Sequence, residues 1–337
     1  MIKKYLHILT FLCCTFTAIP SLHAETPEER GLKTINRETA EAHIGFLACD
    51  ELLGREAGTR EGRLAGQYLI AQLRSLGIRP LYGTYTDAFE ASKPKGPKAR
   101  GTWQIHPDSI AALKQSGAVH QNLSLNNILG LIEGKNPGEY VIIGAHYDHL
   151  GYDPFLAGDR IYNGADDNAS GVSAVLQVAR AFLATGKQPK RSVIFAFWDG
   201  EEKGLLGSAS FVLRFPKIKQ VKGYINFDMI GRNKDEQHPE HVTYFYTESH
   251  PEFGEWLKTD IRKYDLKLTP DYRPWDKPFG GSDNGPFALQ NIPIIWYHTE
   301  GHPDYHQPGD HAERINWDKV VDITKSSFLN LWRMANE

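Results

Sequence analysis

The chain has 337 residues, of which 41% are hydrophobic and 23% are charged, and its formal net charge is −3. These values are typical of a globular protein with a large core, and the length allows one large domain or two small ones. The slightly acidic balance excludes electrostatic attraction to nucleic acid or to an anionic membrane as a basis for function. We therefore expect a globular protein without a nucleic acid partner.

Residues 1–24 resemble a secretory signal. Lys3 and Lys4 form a basic start, and the apolar stretch at residues 5–19 is too short to span a bilayer. Ala24 closes this segment, so we expect cleavage after it. The sequence therefore predicts an exported protein, periplasmic or extracellular, that is not inserted in a membrane once the signal is removed.

Cysteine usage separates the expected signal from the rest of the chain. Cleavage after Ala24 would remove Cys13 and Cys14 and leave Cys49, so the mature protein would have no intramolecular disulfide. Cys49 lies next to an apolar run, and we expect it to be a buried small hydrophobic residue. Stability must then come from the core and from bound metal.

Two helices are expected before residue 80. Residues 37–53 and 61–76 carry apolar side chains at helical spacing, and Gly77 ends the second helix. Residues from about 80 to 125 contain Pro, Gly and Lys without a clear period. We interpret them as an irregular surface insertion with one or two short strands or helices, and a contribution to the rim of a cleft is the alternative.

From Asn127 onward, apolar strands alternate with amphipathic helices. Strands are predicted at residues 128–132, 140–145, 192–198, 223–227 and 292–297, and helices at residues 169–183, 251–264 and 317–334. Strands that are apolar almost throughout are typical of a sheet that is covered on both faces. The pattern therefore indicates an α/β fold with helices on both sides of the sheet.

Five short segments carry carboxylates and imidazoles just beyond these strands or in loops rich in Gly and Pro. They are residues 145–149, 164–171, 199–202, 226–228 and 304–308. Zinc takes imidazole nitrogen and carboxylate oxygen as ligands, and the ends of strands are where an α/β sheet presents its active site. Together the segments supply a ligand set for two adjacent metal ions and one additional glutamate.

The charge of such a site favours hydrolysis. Two zinc ions bring four positive charges, and one shared carboxylate, two further carboxylates and two neutral histidines bring three negative ones. The remaining positive charge favours a hydroxide that bridges the metals. In the pair Glu201 and Glu202, adjacent side chains point in different directions, so one can bind metal while the other exchanges a proton with the water.

In this order, the five segments resemble the motifs of the M28 family of zinc aminopeptidases, and residues 47–59 resemble an N-terminal stretch of that family. The resemblance implies one domain over residues 25–337. It also implies a three-layer sandwich of the zinc exopeptidase, phosphorylase/hydrolase-like type, with a mixed, mostly parallel central sheet and helices on both faces. The cofactor that it implies is Zn²⁺, with two ions expected.

The resemblance also assigns roles to single residues. One zinc would be bound by His146 and Asp228, the other by Glu202 and His306, and Asp167 would bridge the two. These five side chains form the expected metal site.

Three further roles follow from the same resemblance. Glu201 would act as general base and then as acid. Asp148 would orient His146 from outside the metal shell, which a spacing of two residues permits. The family also places a cis peptide bond after the bridging aspartate, which here is Asp167–Asn168.

The chain departs from the family pattern at one position. Some members have a tyrosine that polarises the scissile carbonyl, and Phe279 occupies that place here. A phenyl ring cannot donate a hydrogen bond, so another donor or the zinc itself must stabilise the oxyanion. Tyr305 and His302 are the candidates that lie nearby in sequence.

The expected function is that of an exported, two-zinc aminopeptidase that acts on the N-termini of peptides or proteins. A free α-amine would bind beside the metals and the acidic groups. One alternative is a glutaminyl cyclase, which shares the fold, keeps a single zinc and forms N-terminal pyroglutamate. A non-enzymatic binding module is a third hypothesis, which the complete ligand set disfavours.

Overall fold

The computed structural model describes residues 24–96, 102–275 and 281–337. Within these ranges the helices are α1 (Pro27–Leu32), α2 (Arg37–Leu47), α3 (Arg60–Ser75), α4 (Pro107–Gln115), α5 (Gly171–Ala184), α6 (Leu206–Arg214), α7 (Glu252–Tyr264), α8 (Asn284–Ala288) and α9 (Trp317–Asn336). The strands are β1 (Arg79–Pro80), β2 (Thr86–Pro94), β3 (His120–Ile132), β4 (Asn136–His146), β5 (Gly151–Tyr152), β6 (Ile161–Tyr162), β7 (Arg191–Trp198), β8 (Val221–Phe227), β9 (His241–Tyr246), β10 (Thr269–Pro274) and β11 (Ile294–His298).

Local sequence explains where the main helices begin. The side chain of Thr59 accepts a hydrogen bond from the backbone of Gly62 at the start of α3, and Asn316 caps α9 through Lys319 in the same way. Such caps satisfy backbone N–H groups that the first helical turn leaves unpaired. The second half of β4 and most of β7 consist mainly of Val, Ile, Phe and Ala, whose side chains suit a strand that is buried on both faces.

The main sheet has the strand order β1–β3–β7–β4–β8–β11–β9–β10, and β2 pairs with β3 beside this path. The central strands β7, β4, β8 and β11 run parallel to one another. The pairs β3–β7 and β9–β11 are antiparallel. The sheet is therefore mixed with a parallel centre, and its parallel neighbours require crossover connections of the kind that helices provide.

Alternate side chains of β4 belong to two separate cores. Val141 and Ile143 pack on the face that α2, α3, α5, α7 and α9 cover. Tyr140 and Ile142 pack on the other face, against α6 and α8. The period of two along a strand sends neighbouring side chains to opposite faces, so one strand contributes to both cores. The predicted α/β class with helices on both faces of a mixed sheet is confirmed.

The parallel strands end at one edge of the sheet, and this edge positions the candidate ligands. β4 ends at His146, β7 leads into the segment that contains Glu201 and Glu202, and β8 is followed by Asp228. β11 leads into the loop that carries His306. Because the carboxyl ends of parallel strands lie together, residues far apart in sequence meet there.

The first predicted helix is shorter than expected. α2 ends at Leu47, and Asp50–Arg55 forms a 3-10 segment in which Leu53, Gly54 and Arg55 have φ values of 41°, 66° and 38°. A Cβ on Gly54 would lie 2.3 Å from the carbonyl oxygen of Gly151. The close approach of the β5–β6 hairpin therefore excludes a continuous helix here and requires glycine.

The expected irregular insertion at residues 80–125, for which one or two short strands or helices were predicted, contains longer regular elements than expected. β2 and β3 pair in antiparallel register from Thr86 opposite Ile128 to Pro94 opposite His120, and α4 lies between them. β2 lies at the side of the sheet and β3 lies next to it, and both strands are partly exposed. Their sequences therefore contain polar residues that interrupt the apolar pattern.

Other differences are small. The sequence did not predict β9, β10 or α6, and Cys49 is half-buried where full burial was expected. Among the described residues, no helix is long and apolar enough to cross a membrane. Residues 1–23 of the expected signal, and Phe279, lie outside the described residues.

Candidate metal centre

One side of the site is built on the ends of β4 and β8. The Nε2 atom of His146 lies 3.2 Å from Oδ1 of Asp167 and 3.6 Å from Oδ1 of Asp228. All three side chains are buried and direct one ligand atom each to a common point. The sequence predicted this group as the ligands of one zinc ion, and the structure brings the three residues together.

The other side of the site joins the β7 end to the β11 loop. The Nε2 atom of His306 lies 3.2 Å from Oδ2 of Asp167 and 3.2 Å from Oε2 of Glu202. His306 reaches this place from the turn before Pro308, where its own φ is 55°. These are the residues that the sequence predicted for the second zinc, again with Asp167 in common.

Asp167 therefore turns one carboxylate oxygen to each side, as a bridging ligand would. Its backbone N–H donates to Oδ2 of Asp310 at 3.0 Å, and the same carboxylate accepts from the N–H of Asp166. The peptide bond Asp167–Asn168 is cis, as the family resemblance implies. Ala165–Ser170 thus forms an irregular, fully buried turn that projects Asp167 between the two histidines.

The distances fit zinc. Two ligand atoms on a tetrahedral zinc ion with bonds of about 2.0 Å lie about 3.3 Å apart, and the separations of 3.2, 3.6, 3.2 and 3.2 Å are close to that value. The donor set of imidazole nitrogens and carboxylate oxygens is also the one that zinc prefers. Buried carboxylates this close together repel one another unless cations compensate them.

Glu201 lies beside the candidate ligands, but it makes none of the contacts with His146 or His306 described above. It begins the 3-10 segment Glu201–Lys203, and its backbone N–H donates to Oδ1 of Asp148 at 3.0 Å. Burial raises the pKa of the Glu201 carboxyl well above its usual value. A carboxylate with a raised pKa is the stronger base, which suits a group that must accept a proton from water.

Asp148 is buried where the sequence placed it, but it contacts other atoms than expected. The Nδ1 atom of His146 lies 3.1 Å from the backbone carbonyl of Asp148 and 3.8 Å from its carboxylate. The backbone oxygen is therefore the hydrogen-bond acceptor for His146, whereas the carboxylate anchors the backbone of Glu201. Burial raises the pKa of Asp148 to about 6.

A cleft of about 200 Å³ opens over the ligands. It is lined by His146, Asp167, Glu201, Asp228, Met229, Gly281, Trp296, His298, Gly301, Tyr305 and His306. Tyr305 stacks on His306 with ring centroids 3.9 Å apart, and burial raises the pKa of its hydroxyl, which keeps it a donor. His302 is buried behind the cleft, 3.3 Å from Oδ2 of Asp166, so Tyr305 is the better placed of the two oxyanion candidates.

Sequence reasoning missed three residues that shape the site: Arg55, His149 and Asp310. The Arg55 guanidinium donates to backbone carbonyls of Leu47, Tyr147, Asn163, Gly164 and Asp167. Signals for two of them were present, since Arg55 lies in the family-like stretch 47–59 and His149 lies within the first ligand segment. Neither signal indicates a contact partner, so the roles needed the structure.

Comparison with protein families gives a match to Peptidase family M28 over residues 127–329. A glutamate carboxypeptidase 2 homolog of Caenorhabditis elegans is 30% identical over 258 residues, which is 66% of this chain and 32% of that protein. An aminopeptidase of Pseudomonas aeruginosa is 34% identical over 131 residues, 38% of this chain and 22% of that protein. The matches thus cover about a third or less of these relatives' lengths.

Solved structures share the fold at low sequence identity. The Legionella pneumophila LapA aminopeptidase has a TM-score of 0.66 at 21% identity and covers 92% of this chain and 75% of its own. A Bacteroides thetaiotaomicron glutaminyl cyclase has a TM-score of 0.60 at 18% identity and covers 88% of this chain and 98% of its own. With the family match over residues 127–329, these findings confirm the resemblance drawn from the motifs, and the chain belongs to peptidase family M28.

Proposed function

We propose that this chain is a two-zinc aminopeptidase that removes N-terminal residues from peptides. The observation that carries the proposal is the arrangement of Asp167, whose two oxygens face His146 on one side and His306 on the other at 3.2 Å each. A carboxylate in this position suits two ions better than one, because each oxygen has its own set of neighbouring ligands.

The proposed ligands divide into two groups that share Asp167. His146 and Asp228 would hold one ion, and Glu202 and His306 would hold the other. Bound there, zinc would polarise the scissile carbonyl and lower the pKa of the attacking water.

Glu201 would move the proton. It lines the cleft beside His146 and Asp228, and its carboxylate has no hydrogen-bond donor among the described residues. In the proposed reaction it accepts a proton from the attacking water and then gives that proton to the leaving amine. The anchor from Asp148 to the backbone of Glu201 holds the side chain at the cleft during both transfers.

The cleft favours a substrate with a free amine. Its carboxylates attract an ammonium group, and its volume of about 200 Å³ suits one residue at a chain end rather than the middle of a polypeptide. His298 donates from Nδ1 to the carbonyl of Asp228 at 2.6 Å, which leaves Nε2 as an acceptor for a substrate N–H. Tyr305 would donate to the carbonyl oxygen in place of the family tyrosine.

Mass spectrometry of a mixed peptide set tests the proposal. Purified, zinc-loaded protein should remove N-terminal residues step by step, and N-acetylated copies of the same peptides should stay intact. Cleavage of the acetylated peptides at internal bonds would contradict an aminopeptidase, because that reaction needs no free amine.

A glutaminyl cyclase is the second candidate, and the fold shared with a known cyclase supports it. The complete group of His146, Asp167 and Asp228 favours the aminopeptidase, since a single-zinc enzyme does not need both histidine groups. The same peptide set decides between the two. Loss of ammonia only from peptides that begin with Gln would assign the chain to the cyclases.

Export to the periplasm or the extracellular space stays a prediction from residues 1–24. Intact mass measurement of the protein secreted or released from its own cells tests it. A mature chain that begins at Glu25 is the expected result, and a cell-retained protein that still begins with Met1 would contradict it.

A further inference from the structure

A third histidine faces the second metal group. His149 is buried, and its Nδ1 atom lies 2.7 Å from Oε1 of Glu202 and 3.8 Å from Oδ2 of Asp167. His306 approaches the other carboxylate oxygen of Glu202. The two oxygens of one glutamate are thus each contacted by a different imidazole, although only His306 belongs to the ligands that the motifs predict.

The distances distinguish a ligand from a hydrogen-bond donor. Two ligands of one tetrahedral zinc ion lie about 3.3 Å apart, and His306 matches this value with two contacts of 3.2 Å. His149 does not, because its contacts are 2.7 and 3.8 Å. A separation of 2.7 Å is instead typical of an N–H group that donates to a carboxylate.

The ring of His149 has little freedom to move into the metal position. A Cβ added to Gly164 would lie 2.6 and 2.7 Å from Cδ2 and Cγ of the ring, so only glycine leaves room for it. Gly164 itself has a φ of 60°. On another side the ring of His306 lies edge-on with its centroid 5.9 Å away. Gly164 and His306 therefore bound the imidazole on two sides, with Nδ1 directed at Glu202.

We infer that His149 is a positioning residue for the second zinc. Its Nδ1–H donates to Oε1 of Glu202 and so turns Oε2 toward the ion that His306 and Asp167 also face. No other hydrogen bond to this Oε1 occurs among the described residues. The inference rests on the proposed two-zinc function. Its direct consequence is for the affinity of the site for zinc, and any effect on catalysis follows from that.

The physical reason is the burial of Glu202. A buried carboxylate oxygen without a donor is costly, and a carboxylate that is not held by one oxygen can rotate away from the metal. Groups that hydrogen-bond to metal ligands typically change metal affinity by about 10–100-fold when they are removed. The effect should fall on one of the two ions, because the carboxylates of Asp228 and Asp167 on the other side do not depend on Glu202.

Zinc titration of two variants tests the inference. His149→Leu keeps most of the volume and removes the donor, whereas His149→Asn places an amide N–H near the position of Nδ1. Binding of Zn²⁺ alone is measured by competition with a chelating dye. We expect the Leu variant to bind one of the two ions about 10–100-fold more weakly and the Asn variant to bind both within a few-fold of wild type.

X-ray absorption of the zinc-loaded proteins separates positioning from direct ligation. The number of imidazoles per zinc should be the same in wild type and in both variants. A loss of imidazole in the variants would make His149 a ligand and overturn the inference. His238→Leu is the matched control, since His238 is exposed and is not among the described residues that line the cleft.

The outcomes also separate this inference from the proposed function. Two tight Zn²⁺ steps in the Leu variant would overturn the role of His149 and leave the aminopeptidase untouched. Wild-type protein that binds two ions and cleaves no peptide would overturn the aminopeptidase and leave the role of His149 intact. If the Leu variant does not fold, failure of the folded Asn variant to bind both ions near the wild-type affinity would still contradict the inference.

Discussion

At the scale of single residues, two neighbouring glutamates differ through their contacts alone. Both oxygens of Glu202 have imidazole partners, whereas the carboxylate of Glu201 has no hydrogen-bond donor in the described ranges. Burial raises the pKa of Glu201, and His149 and His306 tie Glu202 to the metal position. In the proposed function these identical side chains would be a proton acceptor and a ligand, because their contacts differ.

The first prediction separates these two roles. Glu201→Gln should keep both zinc ions and lower kcat by about 10²–10⁴-fold, the range that a positioned general base contributes. Peptide hydrolysis and metal content of the same preparation are the measurements. Glu133→Gln, on an exposed glutamate, is the control and should behave as wild type. Near wild-type kcat in the Glu201 variant would show that another group accepts the proton.

At the scale of elements, Arg55 ties together segments that are far apart in sequence. Its guanidinium is fully buried and donates to the end of α2, to the loop after β4 and to the loop before α5. The guanidinium also donates to the carbonyl of Asp167, the proposed bridging ligand. A planar guanidinium with five N–H donors can donate to all five of these carbonyls, whereas an ammonium group has only three donors.

The second prediction follows from this geometry. Arg55→Lys should lower the free energy of unfolding by about 2–4 kcal/mol, because several buried carbonyls lose their donor. It should also weaken zinc binding, because the loop of Asp167 is no longer held. Urea unfolding and dye competition measure the two effects. Arg63→Lys is the matched control, since Arg63 makes an exposed contact to a single carbonyl in the described structure; an equal loss there would contradict the role of Arg55.

A second element-scale feature is a buried histidine in α2. The Nδ1 atom of His43 lies 2.8 Å from the hydroxyl of Tyr68 in α3, and burial lowers the pKa of His43 to about 4. The unfolded chain has an ordinary histidine with a pKa of about 6.5. Above pH 6.5 the imidazole is neutral in both states. As the pH falls toward 4, the unfolded chain gains the proton first, so the folded state loses stability over this window.

The third prediction concerns that window. His43→Leu should flatten the fall of the unfolding free energy between pH 6.5 and 4 by up to about 3 kcal/mol, since one pKa unit corresponds to about 1.4 kcal/mol. Urea unfolding is measured across this range with a chelator present, so that metal loss does not contribute. His238→Leu, on an exposed histidine, should keep the wild-type slope. If the unfolding free energies of the His43 variant and of wild type fell with the same slope between pH 6.5 and 4, the prediction would be contradicted.

At the scale of the whole molecule, the candidate metal centre joins the ends of four strands. β4, β7, β8 and β11 each carry or precede one of the ligands, and the turn before α5 supplies Asp167. Each buried carboxylate there repels its neighbours, so the metal-free protein has an unfavourable cluster of negative charge at the edge of the sheet. Zinc binding would remove that repulsion and crosslink the loops.

The fourth prediction is that zinc removal destabilises the fold. A ligand that binds only the folded state at 1,000 times its Kd adds about 4 kcal/mol of stability. For a domain of this size, that corresponds to a fall in Tm of about ten degrees when the metal is removed. Calorimetry with and without a chelator measures the shift, and added zinc should reverse it. An unchanged Tm would indicate that the site binds zinc too weakly to matter.

The sequence by itself determined much of the protein. The apolar runs of β4, β7, β8 and β11 indicated a buried parallel sheet, because local hydrophobicity is a property of the chain alone. A metal site at the edge of the sheet was indicated by the order of the candidate ligands His146, Asp167, Glu202, Asp228 and His306, since strand ends bring their residues to one place. The edge strand β2 and the first half of β3, which pairs with it, were not predicted, because partly exposed strands contain polar residues.

Only the tertiary structure decided which atoms meet. His149 lies in the same short segment as His146, but its contact with Glu202 joins residues 53 positions apart. Arg55 meets carbonyls more than 100 positions away, and the carboxylate of Asp148 holds Glu201 instead of His146. Spacing along a chain says nothing about such pairs, because crossover helices between parallel strands set the distance in space independently of the distance in sequence.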